Sequence, residues 1–229
     1  MRRHVPNQLT LFRLLLAAAF FLVLNQYRYA STTPAWILLL AGCVFILAAV
    51  TDLLDGYLAR RWQAESTFGR IMDPFCDKVL VIGAFIYLAG PRFVIPGAVE
   101  DRAVFVMVSG VYPWMVAIIL ARELLVTGVR GELEGLGVKF GANLSGKLKM
   151  ALQSVAIPAI LVIVYLDPER EPWLWLGVMR DVLVYATVLV TLASGIPYFV
   201  RAIRVMPGPR RRAESATGLD AKTDRTDAE

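Results

Sequence analysis

Five long uncharged blocks constrain this chain more than any other feature. Residues 35–50, 79–90, 115–121, 151–166 and 182–200 contain no Asp, Glu, Lys or Arg. Overall, 57% of the 229 residues are hydrophobic and 19% are charged, with a mean hydropathy of +0.58. A soluble domain of this length is usually less apolar and more charged, and its apolar residues are not collected in blocks. A membrane-crossing helix needs about 20 mostly apolar residues. Several of the blocks reach that length only by taking in polar residues at one end. The expected architecture is therefore an all-α, polytopic membrane bundle of six transmembrane helices, over 9–26, 34–60, 69–90, 112–132, 146–166 and 179–203. A closed barrel would show short alternating segments instead.

Charge orients the bundle. Arg2 and Arg3 precede the first span, Arg60, Arg61 and Arg70 flank the second connection, and Arg130, Lys139, Lys147 and Lys149 flank the fourth. Arg201, Arg204 and the run 210–212 follow the last span, whereas the other connections carry Arg28, Arg92 and Arg102 with Glu100 and Asp101, and an acidic-leaning stretch at 167–181. The positive-inside rule places both termini and the second and fourth connections in the cytoplasm, a parity that six spans satisfy. No cleavable signal-peptide pattern is expected, because Asn7, Thr10 and Arg13 interrupt the first apolar run. The opening "MRRHVPNQLTLFR" suits an interfacial amphipathic helix. Residues 103–107 are expected to dip into the membrane or extend the fourth span, and "GVKFGANLSGK" is a glycine-rich cytoplasmic loop. Residues 1–206 are expected to form one membrane domain. The tail at 207–229, with five basic and five acidic residues, has little to bury and is expected to be disordered and cytoplasmic. Cys43 and Cys76 are expected to be free, small core residues. Tyr27, Tyr29, Trp36, Trp173 and Trp175 suit an outer interfacial aromatic belt.

Against this apolar background stands "DLLDGYLARRWQAESTFGRIMDPFCD", residues 52–77. Asp52, Asp55, Gly56 and Ala59 are spaced i, i+3, i+4, i+7, and Gly69, Asp73 and Asp77 are spaced i, i+4, i+8. Each set occupies one helical face. The first closes the second span and the second opens the third, so a short turn brings four carboxylates together at the cytoplasmic end of a helical hairpin. Helix caps or pairs with Arg60, Arg61, Arg70 and Lys78 account for one or two of them but poorly for all four. Convergent carboxylates repel, and they are expensive inside a membrane. Divalent cations resolve both problems. An oxygen-only set suits Mg²⁺ or Mn²⁺, two such ions can share it, and a metal pair suits phosphoryl chemistry. Gly56 and Ala59 leave that face without bulk, and the Arg60 guanidinium matches phosphate oxygens.

These residues carry a resemblance. The pattern D-x2-D-G-x2-A-R-x8-G-x3-D-x3-D, with eight fixed positions over 26 residues, is met without departure by Asp52, Asp55, Gly56, Ala59, Arg60, Gly69, Asp73 and Asp77. It is the signature of the CDP-alcohol phosphatidyltransferases, which move a phosphate-linked alcohol from a CDP carrier to an acceptor hydroxyl and release CMP. The resemblance implies a six-helix homodimer and two Mg²⁺ or Mn²⁺ ions on Asp52, Asp55, Asp73 and Asp77. It implies Asp77 as general base, and contacts from Gly56, Ala59, Arg60 and Gly69 to the CDP-diacylglycerol headgroup.

A finer resemblance covers most of residues 5–155. "VPNQLTLFRLLL", the aspartate segment and "ARELLVTGVRGELEGLGVKFGANLSGKLKMALQ" are similar to bacterial phosphatidylglycerophosphate synthases, with their R-E-x6-R and G-K-x-K-x3-Q segments. That subfamily transfers the phosphatidyl group of CDP-diacylglycerol to glycerol-3-phosphate at the cytoplasmic face of the bacterial inner membrane. Cardiolipin and phosphatidylinositol-phosphate synthases share part of the pattern. The charge arrangement agrees with an anionic acceptor. Arg122 and Arg130 on the fourth span, and Lys147 and Lys149 opening the fifth, suit an acceptor phosphate, although positive-inside flanking charge is the plain alternative for the lysines. Glu123 and Arg130, at i and i+7, share a stripe on which Glu123 would orient Arg130. Asn7, Thr10 and Arg13 read either as interfacial anchors and caps or as a wall of the substrate pocket. A membrane prenyltransferase would carry two separated aspartate-rich motifs. A cation transporter would carry acids near mid-membrane in repeated halves. Neither pattern is visible here.

Overall fold

A computed structural model describes residues 5–29, 31–62, 67–96, 106–135, 144–166 and 174–205. The described residues form seven α-helices: α1 (Val5–Leu24), α2 (Trp36–Trp62), α3 (Thr67–Leu88), α4 (Pro113–Gly135), α5 (Leu144–Tyr165), α6 (Leu174–Ala193) and α7 (Ile196–Val205). The expected tail at 207–229, the glycine-rich stretch at 136–143 with Lys139, and Trp173 lie outside the described residues.

Local chemistry explains several boundaries. Pro113 opens α4 at a position whose N–H would be unpaired in any case. Pro197 cannot donate to the carbonyl of Ala193, and its ring would collide with it, so α6 stops there. The chain turns through Ser194 and Gly195 and restarts as α7. The single span expected over 179–203 is therefore two helices. Among the described residues, three helical segments are long and apolar enough to cross a membrane: Trp36–Leu54, Ser145–Tyr165 and Trp175–Arg204. Leu11–Leu24 is apolar but shorter. The helices α3 and α4 carry the charges discussed below, which lower their apolarity.

The helix α1 packs against α2 and α3, α2 against α5, α5 against α6, and α4 against α6 and α7. The core is aromatic where α1, α2 and α3 meet. The Phe20 ring lies 5.5 Å from Phe45, edge to face, and Phe21 stacks on Tyr87 at 5.3 Å. Gly83 of α3 faces the Phe21 ring so closely that any Cβ there would collide with it. Leu22, Leu47, Val155, Val182 and Leu189 point outward and are exposed. Such a surface is costly in water and ordinary against lipid tails.

One end of the bundle is closed by a compact polar-backbone cap. A 3₁₀ turn at Pro91–Phe93 leads into a short antiparallel pairing, in which Ile95 N donates to Val106 O at 2.9 Å and Val108 N to Phe93 O at 2.8 Å. Residues 106 and 107 thus neither extend α4 nor form a separate helix, because their backbone is paired with the 93–95 segment. Gly110 takes φ +68°, and a side chain there would run into Asp181 and Arg180. Buried Arg180 donates to Val108 O at 2.5 Å and pairs with Asp181 at 2.8 Å. Tyr27 is 5% exposed and packs on Phe93, so it is a core residue of this cap, unlike the exposed Trp36 and Trp175. Cys76 is buried, whereas Cys43 faces outward on α2, which corrects its expected place in the core. Neither cysteine is in a disulfide.

Candidate active site

The opposite end of the bundle holds the charges. The helix α2 runs unbroken through Asp52, Asp55, Gly56, Ala59 and Arg60, and α3 through Gly69, Asp73 and Asp77. Helical geometry therefore places Asp55 one turn beyond Asp52, and Asp73 one turn before Asp77, each pair along one face. The side chains of Asp55, Gly56, Ala59, Arg60, Gly69 and Asp73 lie outside the described residues, as do those of Asn7 and Thr10.

The described side chains bring three helices together here. Arg13 of α1 is 1% exposed, and its Nη1 lies 2.7 Å from Asp52 Oδ1 of α2. A buried guanidinium requires such a counter-charge, so Asp52 neutralises Arg13 while remaining a third exposed itself. Asp77 of α3 lies within the electrostatic reach of Asp52, Lys149, Arg13 and Glu123. No described residue donates a hydrogen bond to its carboxylate.

A second cluster adjoins the first. Glu123 of α4 is buried, and its Oε1 accepts from Arg122 Nη1 at 2.8 Å and from Lys149 Nζ of α5 at 2.5 Å. All three side chains are about 9% exposed. One carboxylate holding two cations leaves a local excess of positive charge, which suits an anionic ligand. Arg122 Nη2 also donates to Ser194 Oγ at 2.7 Å, while Arg122 Nε and Ser145 Oγ are buried with no partner among the described residues. Unpaired buried donors are uncommon and call for an explanation. The network continues through Thr127, whose hydroxyl donates to Glu123 O at 2.7 Å and accepts from Lys78 Nζ at 2.5 Å. Lys78 follows Asp77, so this chain ties the aspartate helix to the cationic cluster.

The structure separates the four expected acceptor-site cations. Arg122 and Lys149 are drawn in around Glu123. Lys147 is exposed, and Arg130 is half-exposed and paired with Glu134 at 2.7 Å, one turn away on α4. The expected Glu123–Arg130 partnership is thus replaced. Glu123 faces α5 and takes Lys149, and Arg130 lies beyond its reach on the outer stripe. Sequence reasoning passed over Thr127, Thr191 and Ser194 as site residues, and gave Lys78 only as a carboxylate partner and Gln153 only as the last position of the G-K-x-K-x3-Q segment. Two of these carried a signal, since Thr127 is four residues after Glu123 and Gln153 four after Lys149, each on its neighbour's face.

Carboxylates are the donors a hard divalent cation takes. Asp52 of α2 and Asp77 of α3 meet that description. Among the described residues no group of three or more His, Cys, Asp or Glu side chains is gathered, since Asp55 and Asp73 fall outside them. The carboxylates of Asp52 and Asp77 are donors of the kind such an ion takes, and Asp52 also holds Arg13.

The chain is similar in sequence to proteins of one family. The sequence profile of the CDP-alcohol phosphatidyltransferase family matches residues 3–197. The CDP-diacylglycerol–glycerol-3-phosphate 3-phosphatidyltransferase of Bacillus subtilis is 30% identical over 203 residues, covering 86% of this chain and 93% of the relative. The probable phosphatidylglycerophosphate synthase of Mycobacterium tuberculosis is 32% identical over 213 residues, covering 92% and 87%. A protein of Cereibacter sphaeroides, named as the Bacillus subtilis one is, is 37% identical over 168 residues, covering 71% and 65%.

Proposed function

We propose that this chain, which belongs to the CDP-alcohol phosphatidyltransferase family, transfers the phosphatidyl group of CDP-diacylglycerol to glycerol-3-phosphate, giving phosphatidylglycerophosphate and CMP. The observation that carries the reading is the adjacency of two clusters. The aspartates of α2 and α3 stand beside a buried, net-cationic group on α4 and α5. The names of the relatives supply the two substrates.

The family is generally dependent on divalent metals. Asp52, Asp55, Asp73 and Asp77 are the residues that would hold two Mg²⁺ or Mn²⁺ ions, which supply charge neutralisation at the diphosphate and at the departing CMP. The remaining work falls to the chain's own groups. Gly56, Ala59 and Gly69 leave room for the cytidine diphosphate against the backbone, and Arg60 pairs with its phosphate. Arg122 and Lys149 hold the acceptor's phosphate, with Arg130 and Lys147 on the approach. Glu123 keeps both inner cations in place while the site is empty. The acceptor hydroxyl oxygen then attacks the phosphorus bearing the diacylglycerol. The new P–O bond forms as the bond to CMP breaks, and the hydroxyl proton passes to Asp77. Arg13 holds Asp52 from the side of α1, forming a wall that Asn7 and Thr10 extend along the same helix.

In this reading residues 1–206 are one membrane domain of six spans. Both termini and the active site face the cytoplasm of a bacterial inner membrane, and the protein acts as a homodimer. Supporting the topology, the Asp52–Asp77 and Glu123 clusters occupy one end of the bundle, and the other end carries the backbone-paired cap, where buried Arg180 is paired with Asp181. The test is an acceptor panel with purified protein and CDP-diacylglycerol. Glycerol-3-phosphate is expected to yield CMP and phosphatidylglycerophosphate. Turnover with phosphatidylglycerol or an inositol phosphate, and none with glycerol-3-phosphate, overturns the acceptor assignment.

A further inference from the structure

The turn between α6 and α7 touches the cationic cluster at one atom. Ser194 is 1% exposed. Its Oγ lies 2.7 Å from Arg122 Nη2 and 2.7 Å from the carbonyl of Thr191. A guanidinium has only donors, so the hydroxyl must accept from Arg122 and send its own proton to Thr191 O. Its orientation is thereby fixed. Thr191 is fully buried and is held in turn by Gln153 Nε2 of α5 at 3.2 Å. The next residue is Gly195, where a Cβ would meet Arg122 Cγ at 3.4 Å and Leu192 O at 3.3 Å. The turn thus supplies both a polar anchor and the space beside it. Together with Glu123 on Nη1, Ser194 fixes the plane of the guanidinium and leaves the buried Nε–H without a partner among the described residues.

We propose that Ser194, at the α6–α7 turn, is a positioning residue that sets the Arg122 guanidinium so that its unpaired Nε–H meets the acceptor's phosphate. The inference rests on the reading of Arg122 as an acceptor-phosphate group. It assigns specificity for a phosphorylated acceptor to a turn more than 100 residues from the aspartate motif in sequence. Glu123 alone fixes one nitrogen and leaves the arginine free to swing about that contact. The second anchor removes that freedom, and an anchored donor discriminates phosphate geometry in a way that a mobile charge does not.

The experiment is initial-rate kinetics on the full chain in detergent, with glycerol-3-phosphate varied at saturating CDP-diacylglycerol and then the reverse. Ser194→Ala is expected to raise the KM for glycerol-3-phosphate about tenfold, on the scale of hydrogen bonds to charged groups. The kcat and the KM for CDP-diacylglycerol should stay within about twofold, the pattern of lost binding rather than lost chemistry. Ser194→Thr keeps the hydroxyl and should recover most of the effect. Gly195→Ala leaves Ser194 intact but crowds Arg122, and it should raise the same KM, so the idea stays testable if Ser194→Ala folds poorly. Arg122→Ala separates the two layers. A steep rise in KM for Arg122→Ala, with no change for Ser194→Ala and Gly195→Ala, overturns the positioning role alone. An unchanged KM for Arg122→Ala overturns the acceptor reading and leaves Ser194 nothing to position.

Discussion

Lys149 and Glu123, on α5 and α4, meet at 2.5 Å with both side chains about 9% exposed, and the same carboxylate oxygen also takes Arg122. Breaking a buried ion cluster by removing one member usually costs about 3–5 kcal/mol, because it strands the opposite charge. Glu123→Gln strands two cations and Lys149→Met strands none, since Glu123 keeps Arg122. Glu123→Gln should therefore lower the unfolding temperature in detergent clearly more than Lys149→Met does. Both should raise the KM for glycerol-3-phosphate. Equal thermal shifts for the two variants would contradict the assignment of Glu123 as the common partner.

Besides its proposed place among the metal ligands, Asp52 has a charge partner on α1. It neutralises Arg13, which is almost fully buried. Asp52→Asn should abolish CMP release and also destabilise the protein. Adding Arg13→Gln to it should restore stability without restoring activity. Asp73→Asn should abolish turnover while the protein still elutes as a folded species. Near-normal turnover in Asp73→Asn would refute its place in the metal set.

Gly83 and Phe21 set the approach of α3 to α1. Since the Phe21 ring is stacked on Tyr87 at 5.3 Å, it cannot easily move aside for a new side chain. Gly83→Ala should destabilise the protein, by about 1–3 kcal/mol as overpacked cores usually do, and Phe21→Leu in the same chain should recover part of the loss. Thermal unfolding of the single and double variants reads this directly. A Gly83→Ala protein as stable as the parent would mean the two helices pack less closely than described.

Chelation tests the oxygen-donor site without mutation. Excess EDTA should stop CMP release, and added Mg²⁺ or Mn²⁺ should restore it, because carboxylates in this setting prefer hard divalent ions. Turnover that survives exhaustive chelation would exclude the proposed role of the aspartates as metal ligands.

Much of the architecture is visible in sequence because long apolar helices announce themselves by composition, and two of the three below, α2 and α5, hold segments able to cross a membrane. The expected 34–60, 69–90 and 146–166 correspond to Trp36–Trp62, Thr67–Leu88 and Leu144–Tyr165. Likewise, the spacing of Asp52, Asp55, Asp73 and Asp77 depends only on helix periodicity, and α2 and α3 do run continuously through them. What sequence did not reveal depends on contacts between distant segments. Glu123 pairs across 26 positions with Lys149 rather than along its own helix with Arg130, because inter-helix packing outranks a shared stripe. The Arg13–Asp52 pair, the Arg122–Ser194 bond across 72 positions, and the pairing that buries Tyr27 behind Phe93 are of the same kind. The break at Ser194–Gly195 was signalled by Pro197, but the surrounding uncharged run masked it.

The most direct test of the whole account is a product balance in reconstituted vesicles containing CDP-diacylglycerol, radiolabelled glycerol-3-phosphate and Mg²⁺. The account predicts one labelled phosphatidylglycerophosphate for each CMP released, with no CMP when the acceptor is omitted. Folded protein that releases CMP without glycerol-3-phosphate, or that leaves the label out of the lipid fraction, would contradict it.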